Sequence, residues 1–306
     1  MPEGAEDLTI TPDGAFSLAA AASFGFGPNT GRPRPDGTSM PLAFVADDLE
    51  HQAAAFVTQD ADGLIHCQLF GEADAGQVVA QVRRVLSLDQ SGSAWAEVGV
   101  RDPVIGRLQS AFPGLRPVLF HSPYEAAAWS ILSQRRHRAQ ATAIRKRLSA
   151  AHGRVFALPS GDLEAFPTPA ELLRVDAFPS LEPQRIERLH AVAHAAVDGQ
   201  LDPARLLAMP SDDAMAALER LPGIGPMYAG LILLRSTGAT DIQTLGEPRL
   251  ASYVSHYYGL KHSATPAELA TLAEAWRPFR TWASVLLRVA GDRDGVTREP
   301  QAGGGR

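Results

Sequence analysis

Apolar and polar residues alternate from Gly63 to Phe70, with Ile65, Cys67 and Leu69 on one face and His66 and Gln68 on the other. A period of two predicts a half-buried strand. Shorter strands are expected at Ala43–Ala46 and Ala53–Thr58. The period then changes: Val78, Val82 and Leu86 recur at helical spacing and predict an amphipathic helix over Ala75–Leu86. Beyond residue 110 the chain reads as helices with well-marked starts. Ser122-Pro123-Tyr124-Glu125, Thr168-Pro169-Ala170-Glu171 and Thr265-Pro266-Ala267-Glu268 share one pattern. Each offers a hydroxyl cap, a proline for the first turn and a glutamate able to reach back to the cap. Further starts are expected at Asp202-Pro203 and Ser211-Asp212-Asp213, and Gln184–Val197 is another helical run. The expected fold class is α+β. A small N-terminal antiparallel sheet domain with flanking helices occupies residues 1–110, an all-α domain residues 111–290, and a polar, glycine-rich tail residues 291–306. The Gly- and Pro-rich loop Gly27–Gly37 is expected to be mobile.

Composition narrows the function classes. With 306 residues, 45% hydrophobic and 20% charged, the chain suits about two globular domains. No window has the apolar length of a membrane span, and the start MPEGAEDLTI lacks the basic and apolar regions of a signal peptide. Together these point to the cytoplasm or nucleoid. One cysteine, Cys67, excludes an intramolecular disulfide and a cysteine-ligated cluster or zinc site within a single chain. His51 and His66 read as surface histidines, so no metal site is expected.

A net charge of −6 argues against indiscriminate nucleic-acid binding, yet charge is uneven along the chain. Gln134–Leu148 carries Arg135, Arg136, Arg138, Arg145, Lys146 and Arg147 with no acid among them. It reads as a phosphate-facing element or as a solvated helix face. Leu221-Pro222-Gly223-Ile224-Gly225 lies between two helical runs. Its two glycines permit a hairpin, and Pro226 suits the first turn of the next helix. Free N–H groups and the helix dipole make such a corner an anion site when it is more than an ordinary turn. Glu247-Pro248 places a carboxylate at the N-cap of a following helix, where backbone donors favour its ionised form. An anion there could stabilise a sugar cation during glycosidic-bond cleavage. Asp241, the second carboxylate, reads as a loop brace.

These stretches, in order, resemble the helix-hairpin-helix DNA glycosylase superfamily and within it the DNA-3-methyladenine glycosylase II branch. The resemblance is carried by SPYEAAAWSILSQ (122–134), FPTPAELL (166–173), ERLPGIGPMYAGLILLR (219–235), DIQTLGEPRL (241–250) and AWRPFRTWASVLLR (275–288). It covers the whole chain, weakly in the first third, and implies a helix-hairpin-helix glycosylase domain after the sheet domain. It also implies excision of damaged, typically alkylated, bases from double-stranded DNA after base flipping. The family's catalytic aspartate falls at Glu247, one methylene longer. Its lyase-competent relatives carry a lysine where Met227 stands, so a hydrolytic, monofunctional reaction without a Schiff base is implied.

By the same resemblance Gly223, Ile224 and Gly225 would grip the DNA backbone, with Gln134, Arg135 and Arg136 at the distorted duplex. Arg135 falls at the residue that wedges into the gap left by a flipped base, or makes a phosphate contact. The branch's aromatic base pocket maps onto Met227, Leu231 and Arg288. Tyr228 and Trp282 supply aromatic surface to the pocket or to the core. No cofactor and a monomeric state are implied. Two functions fit: a base-excision glycosylase, or a DNA-binding lesion sensor that has lost catalysis.

Overall fold

The computed structural model describes residues 6–23, 39–242 and 248–296. Contacts divide the chain into two compact units that interleave along the sequence. The first comprises residues 1–12, 17–90 and 118–239; the second comprises 13–16, 91–117 and 240–306. The sequence reading instead placed one cut near residue 110. Glycosidic chemistry expected at Glu247 and the loop Gly27–Gly37 both lie outside the described residues.

In the first unit, β1 (Glu6–Ile10), α1 (Leu18–Ser23), β2 (Ser39–Val45), β3 (Gln52–Gln59) and β4 (Ile65–Gly71) come first. The strands form an antiparallel sheet ordered β1-β4-β3-β2. Register follows the alternation in the sequence: Ile65, Cys67 and Leu69 are buried, and Cys67 pairs with Val57. Helix α2 (Ala75–Val85) follows, capped by the Asp74 carboxylate on the Gln77 N–H. The second unit then contributes α3 (Gly92–Arg101) and α4 (Pro103–Ala111).

The chain returns to the first unit with α5 (Pro123–Ser133) and α6 (Arg138–His152). A hairpin of β5 (Val155–Leu158) and β6 (Gly161–Glu164) packs Phe156 and Leu158 against Ala43 and Ala54 of the sheet. Helices α7 (Pro169–Leu172), α8 (Pro183–Val197), α9 (Pro203–Ala208), α10 (Ser211–Glu219) and α11 (Pro226–Ser236) complete it. Helix α5 is buried on all sides from Pro123 to Leu132, so it forms the axis on which α6, α8 and α11 pack.

The second unit closes with α12 (Pro248–Tyr258), α13 (Pro266–Ala273), a short 3₁₀ turn and α14 (Arg280–Arg293). Its core holds Trp95, Phe279 and Trp282, with ring centroids 5.0 to 5.8 Å apart. Fully buried Arg116 stacks over Phe16 and Trp282 and donates to the Asp13 and Ala15 carbonyls, which holds residues 13–16 in this unit.

Two of the three expected capping boxes form, at Thr168/Glu171 and Thr265/Glu268. At the third, Ser122 caps the Glu125 N–H, but the Glu125 side chain does not reach back. It is buried and accepts from the Val45 N–H (3.0 Å), Arg145 (2.7 Å) and His121 (3.1 Å). Burial works against its charge, but His121, Arg145 and the Val45 N–H outweigh that and lower its pKa to about 2. This carboxylate ties the start of α5 to the edge of the sheet.

Candidate nucleic-acid interface

The corner between α10 and α11 is built by what its residues can and cannot do. Leu221 and Ile224 are buried and anchor it, while Pro222 and Gly223 are exposed. Gly223 has φ +90°, a conformation that side chains resist. A Cβ there would also meet Arg188 and the Ile131 Cδ1 atom at 2.9 to 3.1 Å. Gly225 caps α11 with extended backbone and faces open space. The Ile224 N–H is bonded to the Leu221 carbonyl. Among the described residues the amides of Gly223, Gly225 and Met227 have no partner. The expected set of gripping amides is therefore corrected at one position: Ile224 serves as an anchor, and Met227 supplies the third open N–H. Three open N–H groups at a helix start suit one phosphate.

The turn after α5 lies against this corner. Gln134 ends the helix, and its side-chain amide donates to the Gly223 carbonyl and accepts from Arg188 at 3.2 Å. Arg135 follows with φ +52°. It is exposed and has no hydrogen bond or ion pair among the described residues. Arg136, expected at the DNA, is turned inward instead: it donates to the Ser180 carbonyl at 2.6 Å and pairs with Glu182 at 3.2 Å.

The rest of the basic run is likewise partnered. Arg145 is paired with buried Glu125, Lys146 lies 3.6 Å from Glu164, and Arg147 reaches the Ser180 hydroxyl. The acids absent from the run itself come from elsewhere in the chain. Of the two readings, a solvated helix face fits Arg138, Lys146 and Arg147, which are exposed, and Arg135 is the cation of the run with no partner among the described residues. Arg185 and Arg188, one turn apart on α8, were not singled out in the sequence. Their i, i+3 spacing is the signal that places both on the face beneath the hairpin.

In the second unit, Asp241 serves as a brace, as expected, at the loop before α14. It accepts from Arg280 Nε at 2.7 Å and from Arg277 at 3.1 Å. Thr281 adds a bond from the Ile242 N–H, and its own N–H reaches the Thr240 carbonyl. Helix α12 starts at Pro248, the place the sequence predicts. Its middle and far end are held by tyrosines: Tyr253 donates to Asp292, Tyr257 to Asp294 and Tyr258 to Asp102. Burial, followed by the Asp292 carboxylate, pushes the Tyr253 hydroxyl up to about 12, so it stays a donor.

The five expected pocket residues fall in both units. In the first, Met227 is 70% exposed at the start of α11, and Tyr228 and Leu231 are half-buried behind it. In the second, Trp282 is 3% exposed in the aromatic core and so is a packing residue. Arg288 lies 3.8 Å from Asp292 one turn along α14.

No family model matches the chain. A DNA-3-methyladenine glycosylase of Bacillus subtilis is 22% identical over 69% of this chain and 71% of its own length. DNA-3-methyladenine glycosylase 2 of Escherichia coli is 31% identical over 58% of this chain and 61% of its own length. The solved 3-methyladenine DNA-glycosylase of Archaeoglobus fulgidus superposes with a TM-score of 0.72 at 18% identity, covering 94% of this chain and 98% of that one.

Proposed function

We propose that this chain is a divergent relative of the DNA-3-methyladenine glycosylases, within the helix-hairpin-helix DNA glycosylase superfamily, and that it excises damaged bases from duplex DNA; the likeness in sequence and in fold supports this reading. The observation that carries this reading is the corner itself: three open amides, at Gly223, Gly225 and Met227, stand beside a left-handed turn that presents an unpaired Arg135. The amides take one backbone phosphate, which fixes register without reading sequence. Arg135 enters the space vacated by the everted nucleotide, where its planar guanidinium stacks on neighbouring bases.

Bond cleavage is assigned to Glu247. As the bond from C1′ to the base nitrogen breaks, its electron pair leaves with the base and positive charge develops on the sugar. The carboxylate stabilises that charge until water adds at C1′ and releases a proton. Met227 has no amine, so no Schiff base forms and the strand is left intact. The enzyme acts as a monomer on double-stranded DNA, in the cytoplasm at the nucleoid, without a cofactor. Alkylated bases are the proposed substrates.

The test is base release from alkylated duplex DNA, resolved by chromatography, for wild type and Glu247→Gln. A loss of about 100-fold or more is expected for removal of a transition-state charge. Equal release by both proteins removes Glu247 from the mechanism. One observation favours a second reading, a lesion sensor: the sequence has a glutamate where the family has aspartate. A sensor would bind damaged duplex with salt-dependent affinity and release no base.

A further inference from the structure

Gln134 was expected to face DNA, but its side chain is turned back into the protein. Its nitrogen donates to the Gly223 carbonyl, and its oxygen accepts from Arg188 Nη1 at 3.2 Å. An amide can serve a carbonyl with its nitrogen and a cation with its oxygen at the same time. Arg188 also touches the hairpin directly: its Cδ lies 2.9 Å from the point where a Cβ on Gly223 would sit. One turn earlier on α8, Arg185 donates to the main-chain carbonyls of Ile131 and Gln134. These are the open carbonyls at the end of α5, where a cation also meets the negative end of the helix dipole. The residue that follows, Arg135, is held at φ +52°, a conformation that persists when its surroundings determine it.

We propose that Arg188 is a positioning residue: through Gln134 it yokes the Arg135 turn to the Gly223 carbonyl, so that the phosphate clamp and the wedge meet the duplex as one body. This rests on the reading of both as DNA-engaging. Without the yoke the hairpin still takes a phosphate, but Arg135 is no longer held at a fixed offset from it. Arg188 then affects eversion of the base more than affinity for duplex.

The experiment uses the full chain and a duplex with a tetrahydrofuran abasic analogue opposite 2-aminopurine, whose fluorescence rises when the stack opens. Affinity is measured in parallel at several salt concentrations. For Arg188→Ala, the equilibrium constant for stack opening in the bound complex should fall on the order of tenfold, the scale of one lost hydrogen bond to a charged group. The thermal melt should fall by no more than a few degrees, and the salt slope should stay at its wild-type value. Arg188→Lys should restore part of the response, because an ammonium can also donate to the Gln134 oxygen. Gln134→Glu, which loses the donor to Gly223 but keeps a partner for Arg188, should fail as Arg188→Ala does. A wild-type fluorescence response from Arg188→Ala overturns the yoke. So does a salt slope lowered by about one with the fluorescence unchanged, because that marks a plain phosphate contact. If wild type itself neither binds the duplex nor raises the fluorescence, the DNA-engaging reading fails and the inference falls with it.

Discussion

Glu125→Gln is the most informative single change to the scaffold. Glu125 is 3% exposed and accepts from the Val45 N–H, Arg145 and His121. A carboxyl held at about 2 in place of its ordinary 4.5 favours the folded state by roughly 3 kcal/mol once ionised. Glutamine keeps an acceptor for Val45 but no charge. It leaves Arg145, whose side chain is 13% exposed, without its anion. One-sided disruption of a buried pair costs about 3–5 kcal/mol, so a loss of about 3 kcal/mol is expected. Urea unfolding followed by tryptophan fluorescence measures it. The sign of the pH dependence follows from the lowered pKa: the stabilisation is complete above about pH 4.5 and is lost as pH falls through about 2. The gap between wild type and variant should therefore shrink by more than half between pH 7 and pH 3. A gap below about 1 kcal/mol at pH 7, the worth of an exposed pair, or a gap constant across that range, refutes the assignment of charge to this carboxylate.

Two further substitutions test the corner and the brace behind α12. Gly223→Ala forces a side chain into positive φ against Ile131, and should cost about 1–2 kcal/mol while weakening duplex binding; unaltered affinity would detach the corner from DNA. Gly291→Ala directs a methyl into the Tyr253 ring across the α12–α14 contact. Overpacking of this kind costs about 1–3 kcal/mol, and wild-type urea unfolding would show that the helices approach less closely.

The sequence was most legible where structure is local. Caps and first-turn prolines located α5, α7, α9 and α13, and a period of two found β4 and its buried face. The short strands β1, β5 and β6 escaped because four or five residues offer too little periodicity to separate from loop. Glu125 obeys the capping-box spacing, yet its side chain is claimed by Val45, 80 residues away, and by Arg145. The partners of the basic run escaped for the same reason, since its acids at Glu125, Glu164 and Glu182 become neighbours only through folding. At the candidate site the two glycines were legible from backbone chemistry. The Ile224 amide was not, because its bond to Leu221 is a property of the turn and not of the residue type.

Arg145, locked onto a carboxylate inside the fold, and Arg136, held against Glu182, have little charge left to strip counterions from a duplex. With a net charge of −6, the molecule has little long-range pull on nucleic acid. If the hairpin grips DNA as proposed, undamaged duplex would be visited briefly, since short-range fit there would set the residence time. Under the proposed function, discrimination would lie in how readily a given nucleotide leaves the helix, which would make a weakened base pair the feature that slows the protein's passage.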